Sequence, residues 1–554
     1  MVASSQVRAS RRWDETVVER DRRLAAGARY ARGKEVAAAD VRGLLEAVIM
    51  PGDRVCLEGD NQKQADFLAG CLATVDPGKV RDLHIVQSGL VLAEHLDLFE
   101  TGIARKLDFS YSGPQGGALA RALAAGKIEL GAIHTYIELF SRYFVDLTPN
   151  VALTVARAAD RDGNLYMGPN TEDSPVVIEA TAFKQGIVIA QVNEIVDKVP
   201  RVDIPGDRID FIVRSPSPFY LEPLFTRDPA QITETQILSA MIAIRGIYEP
   251  YGITRLNHGI GFNTAAIELI LPTYAQKLGL KGRIATHFAL NPHPTLIPAI
   301  ESGWVRQVHS FGSEVGMDAY MRARPDIFFT GRDGSMGSNR MFCQAAGLYA
   351  TDMFIGSTLQ IDLQGNSSTV TRDRIAGFGG APNMGSDPHG RRHASEAWMK
   401  AGREAGGAGL PRGRKLVVQI VESFADKMAP AFVEKLDCLE LAETLGLALP
   451  PVMIYGGDVT HIVTEEGVAN LLLCRNAAER EQAIRGIAGY TEVGRGRDRA
   501  MVEALRARKA IQRPEDLGID LLDANRNLLA ARSVKDLMRW SGNLYEPPAK
   551  FRNW

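Results

Sequence analysis

The chain has 554 residues, more than one hydrophobic core ordinarily supports, so two or more domains are expected. Hydrophobic residues make up 45% and charged residues 23%, the composition of an ordinary globular protein, which excludes disordered and fibrous classes. With 64 basic against 66 acidic side chains the formal charge is -2, so no global field attracts nucleic acid or an anionic membrane, and any basic site must be local.

The chain opens on an Arg-rich stretch interleaved with Asp14, Glu15, Glu19 and Asp21, which reads as a solvated helical arm over residues 1–35. It lacks the apolar run of a secretory signal. From 36 to 215, short apolar runs such as "DRVCLEG", "LHIVQSG", "NVALTVARAAD" and "GIVIAQVNEIVD" alternate with amphipathic helical patterns such as "NQKQADFLAGCLATV" and "ALARALAAGKIEL". That alternation predicts an α/β domain with a mostly parallel sheet. In "EGDNQKQADF", Glu58, Asn61 and Gln62 follow a strand and are either ligand-facing or the start of a helix with its caps.

The Pro-containing "IVRSPSPFYLEPLFTRDPAQ", near residues 213–231, reads as a linker to a second α/β domain over 216–510. There "RIATHFAL", "DIFFTG", "DMFIGSTLQID" and "KLVVQIVESF" supply strands. "ALTVARAADRDGNLYMG" and "MFIGSTLQIDLQGNSSTV" both run from a strand through Asp-x-x-Gly-Asn into a second strand, which predicts two copies of one αβ unit. Residues 511–554 read as a helical tail. No apolar stretch approaches the roughly 18 residues that span a bilayer. The five cysteines (Cys56, Cys71, Cys343, Cys438, Cys474) form no CxxC pair and read as reduced core thiols of a cytoplasmic protein.

Two Gly-rich stretches stand out. In "HGIGFNTAAIELIL" a Gly-x-Gly turn runs into a helix whose first N–H groups suit a phosphate or a developing oxyanion. It is not a dinucleotide fingerprint, because the third glycine would fall at Thr264, as Pro382 stands in "GFGGAPNM". "RIAGFGGAPNMGSDPHGRRH", residues 374–393, holds five glycines and two prolines. A tight connection is an equal reading of either cluster. His389 and His393 stand four apart, but the Gly/Pro-rich context and the intervening cations oppose a shared metal, and none is expected. Arg391 and Arg392 are either a solvated pair or phosphate contacts for a nucleotide-like ligand. In "ALNPHPTLIPAIESGW", Asn291 and His293 sit between prolines directly after a predicted strand, where parallel sheets place ligands; a loop histidine satisfied within the fold is the competing reading.

Taken in order, "VALTVARAADRDGNLYMG", "IVIAQVNEIV", "GIGFN", "GSTLQIDLQGNSSTV", "GFGGAPNMG" and "HIVTEEGVANLLL" resemble the acyl-CoA:carboxylate CoA-transferases. "LEGDNQKQADFLAGCLATVDP", "EHLDLFETGIARKLDFSYSGPQ", "GAIHTYIELFSRYFVDLTPNV", "NPHPTLIPAIESGWV" and "FFTGRDGSMGSNR" more closely resemble the malonate decarboxylase α subunits, over nearly the whole chain. The resemblance implies two related CoA-transferase-like αβ domains with a helical arm and tail. It implies exchange of acetate for malonate on a carrier thiol: acetyl-S-acyl carrier protein plus malonate gives malonyl-S-acyl carrier protein plus acetate. The implied partners are the acyl carrier subunit and two carboxyltransferase-like decarboxylase subunits. No cofactor is expected on this chain; the thiol belongs to a phosphoribosyl-dephospho-CoA arm on the carrier.

For that chemistry, Gly377, Gly379 and Gly380 are expected to bring backbone N–H groups to the thioester, with Ala381, Pro382, Asn383 and Arg391 along the carrier arm. Gly259, Gly261 and Asn263 would form a second wall. The idle carboxylate of malonate falls to His293, Asn291 and Arg332. Many CoA-transferases attack with their own glutamate, but the matching strand, residues 283–294, holds no carboxylate, which favours direct attack by malonate, as in the similar citrate lyase α subunit. Glu268, Glu301 and Glu314 stand nearby as other carboxylates, and the helix position of Glu268 reads as surface or capping. Two alternatives keep the fold: a free-standing CoA-transferase with a glutamate nucleophile, and a scaffold or sugar-phosphate sensor without turnover.

Overall fold

The computed structural model describes residues 13–58, 63–168, 174–310, 312–329, 347–348, 350–386, 397, 399–400, 415–424, 428–552 and 554. Asn61, Gln62, Arg332, Cys343, His389, Arg391, Arg392 and His393 lie outside the described residues. The chain divides into two compact units, residues 1–222 with 373–379, and residues 223–372 with 380–554.

In the first unit the strands of four or more residues are β1 (Arg54–Glu58), β2 (Leu83–Gly89), β3 (Ala104–Tyr111), β4 (Glu129–Ile133), β5 (Val151–Asp160), β6 (Ile187–Val196) and β7 (Phe211–Arg214). They lie in the order β7-β6-β5-β1-β2-β3-β4, all parallel. Central β5 exposes only Arg157, as a strand covered on both faces must. In the second unit β8 (Arg255–His258), β9 (His287–Ala289), β10 (Gln307–His309), β11 (Met353–Ser357), β12 (Leu416–Ile420) and β13 (His461–Thr464) form a parallel sheet in the order β13-β12-β11-β8-β9-β10. Strand for strand this repeats β7-β6-β5-β1-β2-β3. Antiparallel β14 (Gly467–Asn470) and β15 (Ile511–Gln512) extend its edge beyond β13.

The repeat reaches individual hydrogen bonds. After β5, Asp160 Oδ1 accepts from the N–H of Asp162 (3.1 Å) and Asn164 (2.9 Å), while Asn164 Oδ1 accepts from Gly206 N–H at 2.9 Å. After β11, Asp362 Oδ1 accepts from Gln364 and Asn366 N–H, both at 2.9 Å, and Asn366 Oδ1 accepts from Gly456 N–H at 2.8 Å. The turn glycines match as well, Gly163 at φ 86° and Gly365 at φ 83°, a left-handed conformation that glycine adopts without steric cost. An aspartate that accepts two local N–H bonds ends the strand and reverses the chain.

Three boundaries differ from the sequence reading. The helix α1 (Trp13–Gly27) is clamped to its unit: Arg20 pairs with Asp210 at 2.5 Å, and Arg23 forks onto both oxygens of Asp53 at 2.6 and 3.2 Å. The tail expected at 511–554 is part of the second unit, whose sheet takes in β15. Its Tyr545 is buried, with its hydroxyl 3.3 Å from Thr226 Oγ1. Residues 373–379 belong to the first unit, where Gly377 bridges to Tyr111 at the end of β3.

Candidate active site

In the second unit, β9, β8 and β11 are neighbours, and the parallel arrangement puts their carboxyl ends side by side. Such ends are where open α/β sheets bind ligands. From β8 the chain passes through Gly259 and Gly261 into α3 (Phe262–Ile270); from β9 it passes through Asn291 and His293. Both glycines answer to β11: a Cβ on Gly259 would lie 2.9 Å from Gly356 Cα, and one on Gly261 would lie 2.7 Å from Ser357 Oγ. The Gly259 N–H is spent on Ile355 C=O at 2.7 Å. The helical ladder opens with Ala265 N–H donating to Gly261 C=O at 3.1 Å, so the N–H groups of Phe262, Asn263 and Thr264 precede it, the arrangement that favours negative charge.

Four side-chain atoms at these strand ends and the start of α3 are buried and have no hydrogen-bond partner among the described residues: Asn263 Oδ1, both Oδ1 and Nδ2 of Asn291, and Ser357 Oγ. Asn291 is only 2% exposed. A buried amide with neither end satisfied costs stability, and its retention beside a helix N-terminus points to a polar ligand.

Behind them lies a chain of titratable groups, of which the sequence reading had named His293 and Glu268 but not His258 or Tyr248. Glu268, on α3, is fully buried and caps nothing, contrary to its expected surface or capping role. Its Oε1 accepts from His258 Nδ1 at 2.8 Å and His293 Nδ1 at 2.9 Å, and Thr295 Oγ1 donates to Oε2. Burial opposes its ionisation, but the charge of His293 and the bonds from both histidines outweigh burial and hold its pKa down to about 2. Tyr248, whose phenol is pushed far up by burial, donates to His258 Nε2 at 2.8 Å. That bond makes His258 the Nδ1–H tautomer, and burial keeps its pKa below the ordinary value. His293 spends Nδ1 on Glu268, and its Nε2 has no partner among the described residues. The sequence signal for Glu268 was a single acid inside the apolar run "AAIELIL".

Gly377 and Gly379 of the other Gly-rich stretch serve the first unit. The N–H groups of Phe378 and Gly379 both donate to Ser110 C=O, at 2.7 and 3.1 Å. The Gly379 carbonyl accepts from the N–H of Tyr136 at 3.2 Å, at the start of α2 (Tyr136–Val145). Gly377 has φ 76°, and a Cβ there would lie 2.4 Å from Ser110 O. Gly380 opens the five-residue helix Ala381–Gly385, which contains Pro382 and Asn383 and belongs to the second unit. Among the described residues no group of three or more His, Cys, Asp or Glu could hold a metal, and no helix is long and apolar enough to cross a membrane.

The doubled sheet order and the strand-end site define a class, the α/β proteins built like the citrate lyase alpha subunit. A Streptococcus mutans protein solved as that subunit in complex with citrate matches 81% of this chain and 82% of its own with a TM-score of 0.56, at 16% identity, a likeness of fold. A family model described as "Malonate decarboxylase, alpha subunit, transporter" matches residues 12–554. The acetyl-S-ACP:malonate ACP transferase of Malonomonas rubra is 61% identical over 98% of this chain and 99% of its own. In the crystal structure of a Pseudomonas malonate decarboxylase hetero-tetramer in complex with malonate, one chain matches with a TM-score of 0.94 and 58% identity, covering 98% of this chain and 100% of that one. The chain belongs to the malonate decarboxylase alpha subunit family.

Proposed function

We propose that this chain is the acetyl-S-ACP:malonate ACP transferase of a multi-subunit malonate decarboxylase, as its Malonomonas relative is named, with the β8, β9 and β11 strand ends as its site. The observation that carries the assignment of the site is the Asn291 amide, buried with neither polar atom paired among the described residues.

A malonate carboxylate oxygen attacks the thioester carbonyl carbon of the acetyl carrier. A C–O bond forms, the C–S bond breaks, and the electron pair leaves with sulfur as thiolate. The thiolate then adds to the malonyl carbonyl of the mixed anhydride, and acetate departs with the oxygen that had bridged the two acyl groups. No proton is gained or lost overall, so the enzyme has to stabilise oxyanions and exclude water. The N–H groups that open α3 face a developing oxyanion with their positive end. Asn291 Nδ2 supplies a side-chain donor, and each well-aimed donor is worth about 3 kcal/mol in the transition state. His293, whose Nδ1 is taken by Glu268, presents Nε2 to the carboxylate of malonate that does not react. Gly380, Ala381, Pro382 and Asn383, which open a short helix of the same unit, meet the carrier arm. That arm is a long CoA-like thiol, phosphoribosyl-dephospho-CoA, on the acyl carrier subunit, with two carboxyltransferase-like subunits as the other partners.

The test uses the assembled complex with acetyl-loaded carrier and labelled malonate. Asn291→Ala is expected to slow malonyl-carrier formation at least about tenfold with subunit assembly unchanged, the loss of one charge-facing hydrogen bond. An unchanged rate removes Asn291 from the site.

A further inference from the structure

The Glu268 carboxylate accepts three side-chain hydrogen bonds beside the site, yet the transfer written above gives it no role. It is 0% exposed, and both its oxygens are occupied: Oε1 by His258 Nδ1 (2.8 Å) and His293 Nδ1 (2.9 Å), Oε2 by the Thr295 hydroxyl. A nucleophilic carboxylate needs an oxygen with an open line to the acyl carbon. Glu268 has none. Its three donors come from three directions, the end of β8, the loop after β9 and the turn that starts at Pro294.

We propose that Glu268 is a positioning residue: it fixes the His293 ring through Nδ1 and so aims Nε2 at malonate. This rests on the reading of the strand ends as the transfer site. The His258 ring takes no part in contacting substrate. Its Nε2 is held by Tyr248 and its Nδ1–H is committed to Glu268, so it fills one lone pair of the buried carboxylate without adding a charge. Phe225 completes the mounting, its ring stacked on His293 at 5.9 Å between centroids with the planes 16° apart. The groups facing His293 are thus one ionised carboxylate, one neutral histidine behind it and one aromatic face. A neutral amide in place of Glu268 presents an N–H toward one of its donors, which breaks a bond that holds the His293 or His258 ring in place.

A double-mutant cycle on carrier exchange tests the proposal, with Glu268→Gln, His293→Ala and the pair together in the full complex. Glu268→Gln alone is expected to slow exchange about a hundredfold, the scale of a misdirected histidine. Added to His293→Ala it is expected to cost less than about twofold further, because its effect passes through a ring that is no longer there. Thr295→Val, which loosens the other oxygen and leaves the charge in place, should give a smaller fall that also vanishes in the His293→Ala background. Multiplying losses, or full activity of Glu268→Gln, overturn the positioning role. A hydroxylamine-sensitive acyl adduct on Glu268 during turnover overturns it as well. Each protein is assayed with acetyl carrier and with free acetyl-CoA. Transfer from acetyl-CoA alone would sink the carrier reading while leaving the cycle readable on that donor.

Discussion

The Phe225 ring lies flat on the His293 ring, 5.9 Å between centroids, and the backbone of the same Phe225 donates to Glu314 Oε2 at 3.2 Å. Thr226 adds its N–H at 3.2 Å and its hydroxyl at 2.8 Å to Glu314 Oε1, so this buried acid pins the strand of chain that carries the stacked ring. Burial pushes Glu314 up to about 7 against the partial support of these donors. The folded pKa lies above the ordinary value of 4.5, so the folded state binds the extra proton between those two values.

The contribution of Glu314 is therefore full below pH 4.5 and is lost as pH rises through about 7. The shift amounts to about 3 kcal/mol. Urea unfolding at pH 5 and pH 8 is expected to show Glu314→Gln losing less stability than wild type between the two, by up to about that amount. Parallel pH profiles would mean that Glu314 does not titrate in this window.

The two Asp-x-x-Gly-Asn turns predict paired defects. A Cβ on Gly206 would sit 2.2 Å from Asp162 O, and one on Gly456 would sit 2.2 Å from Gln364 O. Both contacts are with backbone, which cannot rotate away. Gly206→Ala and Gly456→Ala are each expected to destabilise their unit by about 2–4 kcal/mol, seen as lowered melting temperatures in calorimetry. If one were silent, the two turns would not be equivalent under load.

Gly377→Ala meets Ser110 O at 2.4 Å and is strained at φ 76°. It should release residues 373–379 from the end of β3 and raise hydrogen exchange at Phe378 and Gly379, whose N–H groups both bond to Ser110. Unchanged protection at these two amides would contradict that placement.

Much of this was legible before any coordinates, and the gaps have physical reasons. The αβ alternation and the twin turn motifs are local signals, and they foretold two repeated units. Asn291 and His293 stand out in the sequence because they alternate with Pro292 and Pro294 just after a strand. Glu268 was misread because α3 is buried from Asn263 to Ile270, so helical periodicity gives no outward face to compare with. Arg20 and Arg23 read as solvated because their partners Asp210 and Asp53 are distant in sequence. The membership of residues 373–379 in the first unit was hidden for the same reason: their backbone bonds to Ser110, Ser112, Gly116 and Tyr136 are non-local.

The account stands on malonate itself displacing the thiol, with the nearest buried glutamate committed to a histidine. The most direct measurement is a single turnover with malonate carrying oxygen-18 in every carboxylate position, followed by mass analysis of the acetate and of the protein. Direct attack predicts acetate with one heavy oxygen and an unlabelled enzyme. Unlabelled acetate, with oxygen-18 recovered on an enzyme carboxylate, would contradict it.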